Sequence, residues 1–183
     1  MELDKLKSVF RRSILSHEER MENSGEHSWH VTVVAMVLYE YANEKLDLFK
    51  VMKMLLIHDV VEIDAGDTYI YDKVSNTGKV DREREAAKRI FGLLPEDQAE
   101  EFKELWEEFE AKETAEAKFA GSCDRIIPML HNYHSHGRMW LKNQVGRDDV
   151  KNIMLNVKPG STSLWQAAEQ IIEDAVEKGY LNP

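Results

Sequence analysis

Cysteine is nearly absent from this sequence, because Cys123 is the only one among its 183 residues. A single thiol excludes a disulfide within the chain and a cysteine-based zinc site, and it suits a reducing compartment. Runs of eighteen apolar residues are also missing, so no transmembrane helix is expected. Residues 1–5 are charged and lack the apolar core of a signal peptide. We therefore expect a cytoplasmic protein that does not bind a membrane.

Basic residues are outnumbered by acidic ones. Lysine and arginine number 24 against 34 acidic residues, which gives a formal net charge of −10. This balance argues against a partner that is a nucleic-acid polymer, since such proteins need a basic face. A small phosphorylated partner stays possible, because local charge decides its binding. The sequence also lacks a glycine-rich phosphate loop and a Gly-x-Ser-x-Gly motif, which argues against an NTP-driven motor, a kinase and a serine hydrolase.

Proline and alternating β-type patterns are few as well, and the fold class that follows is all-α. The length favours one domain, residues 1–183, with a sizeable core. Apolar periodicity and capping residues predict helices over 3–15, 26–44, 48–63, 78–93, 95–112, 114–136, 147–157 and 161–178. The main predicted loops are 16–25, 64–77 and 137–146.

Carboxylates interrupt the apolar face of the predicted helix 48–63. Its positions follow intervals of four, three, four and three, which is one side of a helix: Leu48, Met52, Leu55, Asp59 and Glu62. A buried carboxylate without a partner costs several kcal/mol, and a divalent cation would compensate for it. The alternative is that the helix end turns towards solvent and the acids are exposed. This stretch alone leaves both interpretations open.

Two other helices carry similar interruptions. His27 shares an apolar face with Val31 and Val34, and Asp124 shares one with Ala120 and Ile127. Taken singly, His27 could be a packing residue and Asp124 could pair with a lysine or arginine. Together, His27, His58, Asp59 and Asp124 offer two nitrogens and two carboxylates, a set that suits a six-coordinate divalent metal with open water positions.

The order and spacing of these residues carry a resemblance to a known family. The matching pieces are Arg20-x-Glu22-Asn23-x-x-Glu26-His27-Ser28-Trp29, His58-Asp59-x-x-Glu62, Gly66-Asp67, and residues 115–119 leading to Asp124. They resemble the HD superfamily of metal-dependent phosphohydrolases over residues 5–135. Within it, the chain is most similar to the small all-helical group of 5′-deoxynucleotidases, as an uncharacterised bacterial branch. The resemblance implies a single HD-domain helical bundle. Its metal-site core would span about residues 20–135, with C-terminal helices 147–180 packed on it.

The resemblance also implies the roles of individual residues in an enzyme that hydrolyses (deoxy)nucleoside 5′-monophosphates. One divalent ion (Mn, Co, Zn, Fe, Ni or Mg) would be bound by His27, His58, Asp59 and Asp124. Glu62 and Asp67 would be the catalytic acids beside it. An arginine would hold the phosphate, with Arg11, Arg12 and Arg20 as candidates, and Thr68 would assist. The family commonly forms dimers, so a homodimer is expected.

The sequence departs from the nucleotidases at two positions, which leaves alternatives open. Those enzymes have an Arg-Trp pair before the first metal histidine, whereas this chain has Arg11-Arg12-Ser13-Ile14 without a tryptophan, and Gly121 stands where a basic residue is expected. The substrate could therefore be another small phosphate ester, or the chain could be a catalytically silent regulatory module that binds metal or nucleotide.

Structural roles are the alternatives for the catalytic acids and for the remaining conspicuous side chains. Glu62 could hold a metal-binding histidine, and Asp67 could be a turn residue beside Gly66. The aromatic stripe around Trp106 could be core or a dimer contact. His131 could line the pocket, and no second metal site is expected at His131, His134 and His136.

Overall fold

The fold is described from a computed structural model that covers residues 1–72 and 77–183. These residues confirm the all-α class, because they form helices apart from one small two-stranded sheet. The helices are α1 Ser24–Leu38, α2 Leu48–Ile57, α3 Glu62–Ala65, α4 Lys79–Phe91, α5 Glu96–Ala111, α6 Ala115–His134, α7 Arg138–Lys142, α8 Arg147–Met154 and α9 Thr162–Glu177. Short 3₁₀ segments lie at Glu2–Ser8, Tyr39–Tyr41 and Leu155–Val157. None of the described helices is long and apolar enough to cross a membrane.

The prediction of a helix over residues 3–15 is wrong in its second half. Strand β1, Phe10–Ile14, pairs antiparallel with strand β2, Met21–Asn23, within the predicted loop 16–25. Phe10 counted towards the helical pattern, yet its side chain is exposed. The strand instead alternates, so that Arg11 and Ser13 are more buried than Phe10 and Arg12.

Helix α1 begins two residues earlier than expected because a capping box fixes its start. Asn23 Oδ1 accepts a hydrogen bond from the backbone N–H of Glu26, and the Glu26 carboxylate accepts one from the backbone N–H of Asn23. The two bonds satisfy amide groups that the first helical turn leaves without partners. The cap therefore holds His27 in the first turn, with its side chain fully buried.

The predicted helix 48–63 is two helices with a break at the carboxylates. Asp47 caps α2 as expected, but α2 ends at Ile57 and α3 begins at Glu62. In between, the N–H of Val60 donates to Ile57 O and that of Glu62 to Asp59 O, a tighter pattern than an α-helix. The turn places His58 and Asp59 at the break. Of the predicted loop 64–77, residues 73–76 lie outside the described residues.

Helix α6 is the centre of the bundle, and it packs against α1, α2, α5 and α9. Thr114 caps it as predicted. Gly160 lies so close to this helix that a Cβ atom there would be 2.3 Å from Lys118 O. The loop predicted over 137–146 is wrong in part, since it contains α7. The aromatic stripe of α5 belongs to this core, because Trp106 and Phe109 are buried.

Candidate metal centre

The four predicted ligands meet at one buried point between α1, the turn after α2, and α6. Asp124 Oδ1 lies 3.0 Å from His27 Nε2 and 3.5 Å from His58 Nε2, and Asp59 Oδ1 lies 3.1 Å from His58 Nε2. Ligand atoms of His27, His58 and Asp59 all lie within 4.8 Å of one another. None of the four residues is more than 9% exposed. The alternative of a helix end turning to solvent is therefore wrong.

The hydrogen bonds of the histidines favour a cation at this point. His58 Nδ1 lies 2.8 Å from the carbonyl oxygen of Leu55, and because a carbonyl only accepts, Nδ1 carries the proton. His58 Nε2 then faces two carboxylates while it is buried and has no hydrogen-bond partner among the described residues. A lone pair directed at two carboxylates is repulsive unless a positive charge lies between them. Two imidazole nitrogens and two carboxylates fit a divalent metal in this place.

Arg11 is the other positive charge near this cluster. Strand β1 directs it inward, where its Nη1 donates to Asp59 Oδ2 at 2.5 Å and its Nη2 lies 4.0 Å from Asp124 Oδ1. Its Nε lies 3.8 Å from Glu22 Oε2. Sequence reasoning named Arg11 only as one of three phosphate candidates. The hairpin that places it was not predicted, so its contact with the carboxylates could not be foreseen.

Glu62 and Asp67, the predicted catalytic acids, lie beside the cluster in the same cavity. Glu62 is buried, and its Oε2 accepts a hydrogen bond from Ser24 Oγ at 2.7 Å. Burial and then the charge of Asp59 raise the pKa of Glu62 to about 8. Burial also raises the pKa of Asp67, while Arg11 opposes that change. Both groups are thus poised to hold a proton closer to neutral pH than an ordinary carboxyl does.

The other residues predicted to bind phosphate fall into two groups. Arg12 and Thr68 line the same cavity as the cluster, and the Arg12 guanidinium lies 5.7 Å from the centroid of the Tyr69 ring. Arg20 does not line this cavity. It is exposed, and its guanidinium pairs with Glu26 and Glu18 at the start of α1. The structure therefore does not bring Arg20 to the site, because Arg20 completes the surface of the helix cap.

Glu22 is the nearby residue whose position sequence reasoning missed. It is 1% exposed, and its Oε2 lies 3.3 Å from His27 Nδ1, on the ring edge opposite Asp124. Carboxylates in this position fix the orientation and basicity of metal-binding histidines. The alternation of β2, which buries Glu22 between Met21 and Asn23, was the available signal. The polar composition of residues 16–25 predicts a loop and thereby hides this alternation.

His131 lies on the far side of Glu22 and not in the cavity, so the expectation that it lines the pocket is wrong. Its Nδ1 is 3.8 Å from Glu22 Oε2, and its ring stacks on His30. Nitrogen and oxygen atoms of Glu22, His30 and His131 lie within 4.8 Å of one another. His134 and His136 are exposed, as expected.

Replacing Glu22 by glutamine is expected to weaken metal binding about 10–100-fold, the usual effect of losing such a support. The amide keeps the size of the side chain but removes the charge that faces His27. Isothermal titration with Mn²⁺ measures the change. Glu26→Gln is the matched control, since glutamine preserves the capping box, and its metal affinity should equal that of the unmodified chain. Equal affinities for both variants would exclude a positioning role for Glu22.

Removal of metal should make the stability of the protein depend on pH. Folding raises the pKa of Glu62 from 4.5 to about 8. Burial alone would lower the pKa of His58, but the negative charges of Asp59 and Asp124 outweigh it and raise this pKa from 6.5 to about 9. Between the pKa values of the unfolded and the folded state, the folded chain holds protons that the unfolded chain releases. The free energy of unfolding therefore falls as the pH rises from 5 to 9. Metal displaces those protons. The melting temperature in EDTA should fall from pH 6 to pH 8. Added metal should raise the melting temperature more at pH 8 than at pH 6. A melting temperature that rises with pH in EDTA would contradict this.

Comparison with known proteins agrees with this centre. The family model described as an HD domain matches residues 3–165 of the chain. The chain belongs to the HD domain family. The resemblance expected from His27, His58, Asp59 and Asp124 is thereby confirmed at the level of the family.

Individual relatives of this HD domain are described as nucleotidases and phosphohydrolases. The human 5′-deoxynucleotidase HDDC2 is 37% identical over 112 residues, which are 61% of this chain and 53% of the human protein. The Schizosaccharomyces pombe 5′-deoxynucleotidase hdd1 is 32% identical over 187 residues, covering 98% of this chain and 83% of the yeast protein. The chain thus spans about half the length of the human relative.

A solved structure from Magnetospirillum magnetotacticum shares the complete fold. It is described as a "Predicted metal-dependent phosphohydrolase", and it superposes with a TM-score of 0.96 at 47% identity. The superposition covers all of this HD domain and 91% of that chain. The likeness therefore extends beyond the metal cluster to the C-terminal helices α7 to α9.

Proposed function

We propose that this HD domain is an enzyme, a metal-dependent phosphohydrolase that releases phosphate from (deoxy)nucleoside 5′-monophosphates. The observation that carries the proposal is the convergence of His27, His58, Asp59 and Asp124 at one buried point. The last three of these also line a cavity, together with the two predicted catalytic acids and several cations. The names of the human and yeast relatives support the nucleotide substrate.

The residues that would hold the metal are His27, His58, Asp59 and Asp124. A divalent ion supplies Lewis acidity, which stabilises charge on phosphoryl oxygens and makes hydroxide available near neutral pH. Several ions fit this donor set (Mn, Co, Zn, Fe, Ni or Mg), and affinity alone does not select one of them. The protein's contribution is to fix both rings, His58 through Leu55 O and His27 through Glu22.

The remaining residues divide the proton transfers and the phosphate contacts. Glu62, held by Ser24, accepts a proton from the attacking water. Asp67, whose pKa is raised by burial, donates a proton to the leaving oxygen of the substrate. Arg12 and Thr68 line the cavity and hold the phosphate oxygens, and Arg11 adds charge next to Asp59.

Phosphate release from a substrate panel tests the proposal. The protein is loaded with Mn²⁺ or Co²⁺ and incubated with the four deoxynucleoside 5′-monophosphates, the ribonucleotides and p-nitrophenyl phosphate. We expect deoxynucleotides to be cleaved fastest. If no nucleotide releases phosphate while another ester does, the nucleotide assignment is wrong. Tight nucleotide binding without any turnover would indicate a regulatory module instead.

A different small phosphate ester is the second candidate substrate, and Ser13 favours it. Ser13 is 8% exposed and lines the cavity directly after Arg12, in the segment that lacks the tryptophan of the resembling nucleotidases. A smaller side chain leaves room for a group other than a base. The same panel distinguishes the two candidates.

We also propose that the chain forms one domain over residues 1–183, that it is cytoplasmic, and that it acts as a homodimer. The apolar face of α1 supports the dimer, because four of its side chains at helical spacing are exposed: Trp29, Val33, Met36 and Val37. A two-fold contact would bury this face against its own copy.

Replacing Trp29 by lysine is expected to convert the dimer to a monomer, since a charge would lie within the apolar contact. Light scattering after size exclusion should then give one chain mass where the unmodified protein gives two. Phe49→Lys on α2, also an exposed aromatic position, is the control and should stay dimeric. If the unmodified chain is monomeric, the dimer proposal is wrong.

A further inference from the structure

Two cations that line the cavity form no ion pair with a carboxylate of the described residues, although nearby carboxylates act on Lys112 through longer-range charge interactions. Lys112 lies at the end of α5, and Arg125 follows the metal ligand Asp124 on α6. Both are half-buried and line the cavity. In the part of the chain that the structure describes, neither lies within 4.0 Å of a carboxylate oxygen, whereas neighbouring Lys79 pairs with Glu83. In a chain with a net charge of −10, unpaired cations in a cavity indicate a site for an anion.

The backbone holds Lys112 in a conformation that lysine rarely adopts. Its φ of 53° lies in the left-handed region, where helix ends usually carry glycine or asparagine. The side chain then runs across Gly121, so close that a Cβ atom there would be 3.1 Å from Lys112 Cε. Gly121 therefore leaves space for the lysine stem. Burial lowers the pKa of Lys112, so an anion beside it would remove an energetic cost.

The position of the ammonium relates this part of the cavity to the metal centre. Lys112 Nζ lies 4.8 Å from the centroid of the Phe109 ring, and the same ring lies 5.0 Å from the His58 ring. The ammonium is thus close to the cluster but does not pair with its carboxylates, unlike Arg11. A phosphate ester that reacts at the metal centre would extend its other end along this part of the cavity.

We propose that Lys112 and Arg125 form a second anion-binding site, the distal cation pair, which binds a further phosphate group on the substrate. The preferred substrates would be phosphate monoesters that carry two phosphate groups. The part of the inference that concerns cleavage of the first phosphate rests on the proposed phosphohydrolase activity. Binding of the second phosphate depends only on the cavity.

The test compares 2′-deoxyadenosine 5′-monophosphate with the 3′,5′-bisphosphate and the 5′-diphosphate on the metal-loaded protein. Kd is measured by calorimetry and kcat/KM by phosphate release. We expect a doubly phosphorylated compound to bind at least about tenfold more tightly than the monophosphate, because one additional charge-assisted hydrogen bond contributes this much to affinity. Lys112→Met keeps the stem over Gly121 and removes the charge, and Arg125→Gln does the same for the second cation. Each variant should lose this preference, with little change for the monophosphate.

Three further variants test whether a loss of the preference comes from the charge of Lys112 and not from misfolding. Lys112→Gly suits the left-handed backbone, so it should fold at least as well as the unmodified chain and still lose the preference. Lys103→Met, an exposed lysine of α5 that pairs with Glu107, is the control and should retain it. Lys112→Arg should retain most of the preference.

The outcomes separate this proposal from the proposed function. Equal losses for mono- and doubly phosphorylated compounds would place both cations at the reacting phosphate and overturn the second site. Absence of any preference in the unmodified protein would overturn it as well. If nothing is hydrolysed, the proposed function fails, but calorimetry with the bisphosphate still decides on the distal cation pair.

Discussion

Asp59→Asn should abolish turnover and most metal binding in a protein that still folds. Asp59 supplies a charged oxygen 3.1 Å from His58 Nε2. An amide in its place lacks the negative charge and leaves only one carboxylate among the four proposed ligands. We expect metal affinity to fall at least about 100-fold and kcat/KM at least about 1,000-fold, since the metal provides the main electrostatic stabilisation. Calorimetry with Mn²⁺ and phosphate release measure the two effects.

The control for this variant lies five residues along the chain. Asp64→Asn changes an exposed aspartate of α3 that pairs with Arg89, so metal binding and turnover should both be unaffected. Circular dichroism checks that each variant is folded, because Asp59 also accepts from Arg11 and its loss leaves that guanidinium without its closest partner. Full activity of Asp59→Asn would remove Asp59 from the site and with it the proposed metal centre.

The helices and the convergence of the four proposed ligands could be predicted because both leave a periodic trace in the sequence. Asp124 interrupts a stripe of small residues on α6, and His27 lies on an apolar face of α1. A polar residue on a buried face must be compensated, so three such faces together indicate one centre. Each of these faces is visible in its own segment, whatever the arrangement of the helices in space.

The features that could not be predicted depend on contacts between distant segments. The hairpin of β1 and β2 is set by pairing across residues 15–20, and it alone directs Arg11 and Glu22 inward. The break after α2 has a different cause of failure, because it coincides with a local contact of the His58 side chain with the Leu55 carbonyl, which apolar periodicity does not reveal. Lys112 reaches the cavity only because α6 presents Gly121 opposite the end of α5. Periodicity in one segment carries no information on such encounters.

Glu62→Gln should separate catalysis from metal binding. Glu62 is not among the four proposed ligands, and glutamine can still accept the hydrogen bond from Ser24. Loss of a general base typically lowers the rate about 10²–10⁴-fold. We therefore expect kcat to fall in this range while Mn²⁺ affinity stays nearly constant. The acidic limb of the pH profile of kcat/KM, which reports the protonation of this base, should also disappear.

Glu83→Gln is the matched control, because Glu83 is equally buried, lines the same cavity and also has a raised pKa through burial. Its carboxylate pairs with Lys79 and not with the cluster, so its loss should leave the pH profile intact. Two results would contradict the proposed role of Glu62. Near-normal kcat in Glu62→Gln would exclude proton transfer by this residue. A large fall in Mn²⁺ affinity would show instead that Glu62 supports a ligand, and the base would then have to be sought at Asp67, the other predicted catalytic acid, whose pKa burial also raises.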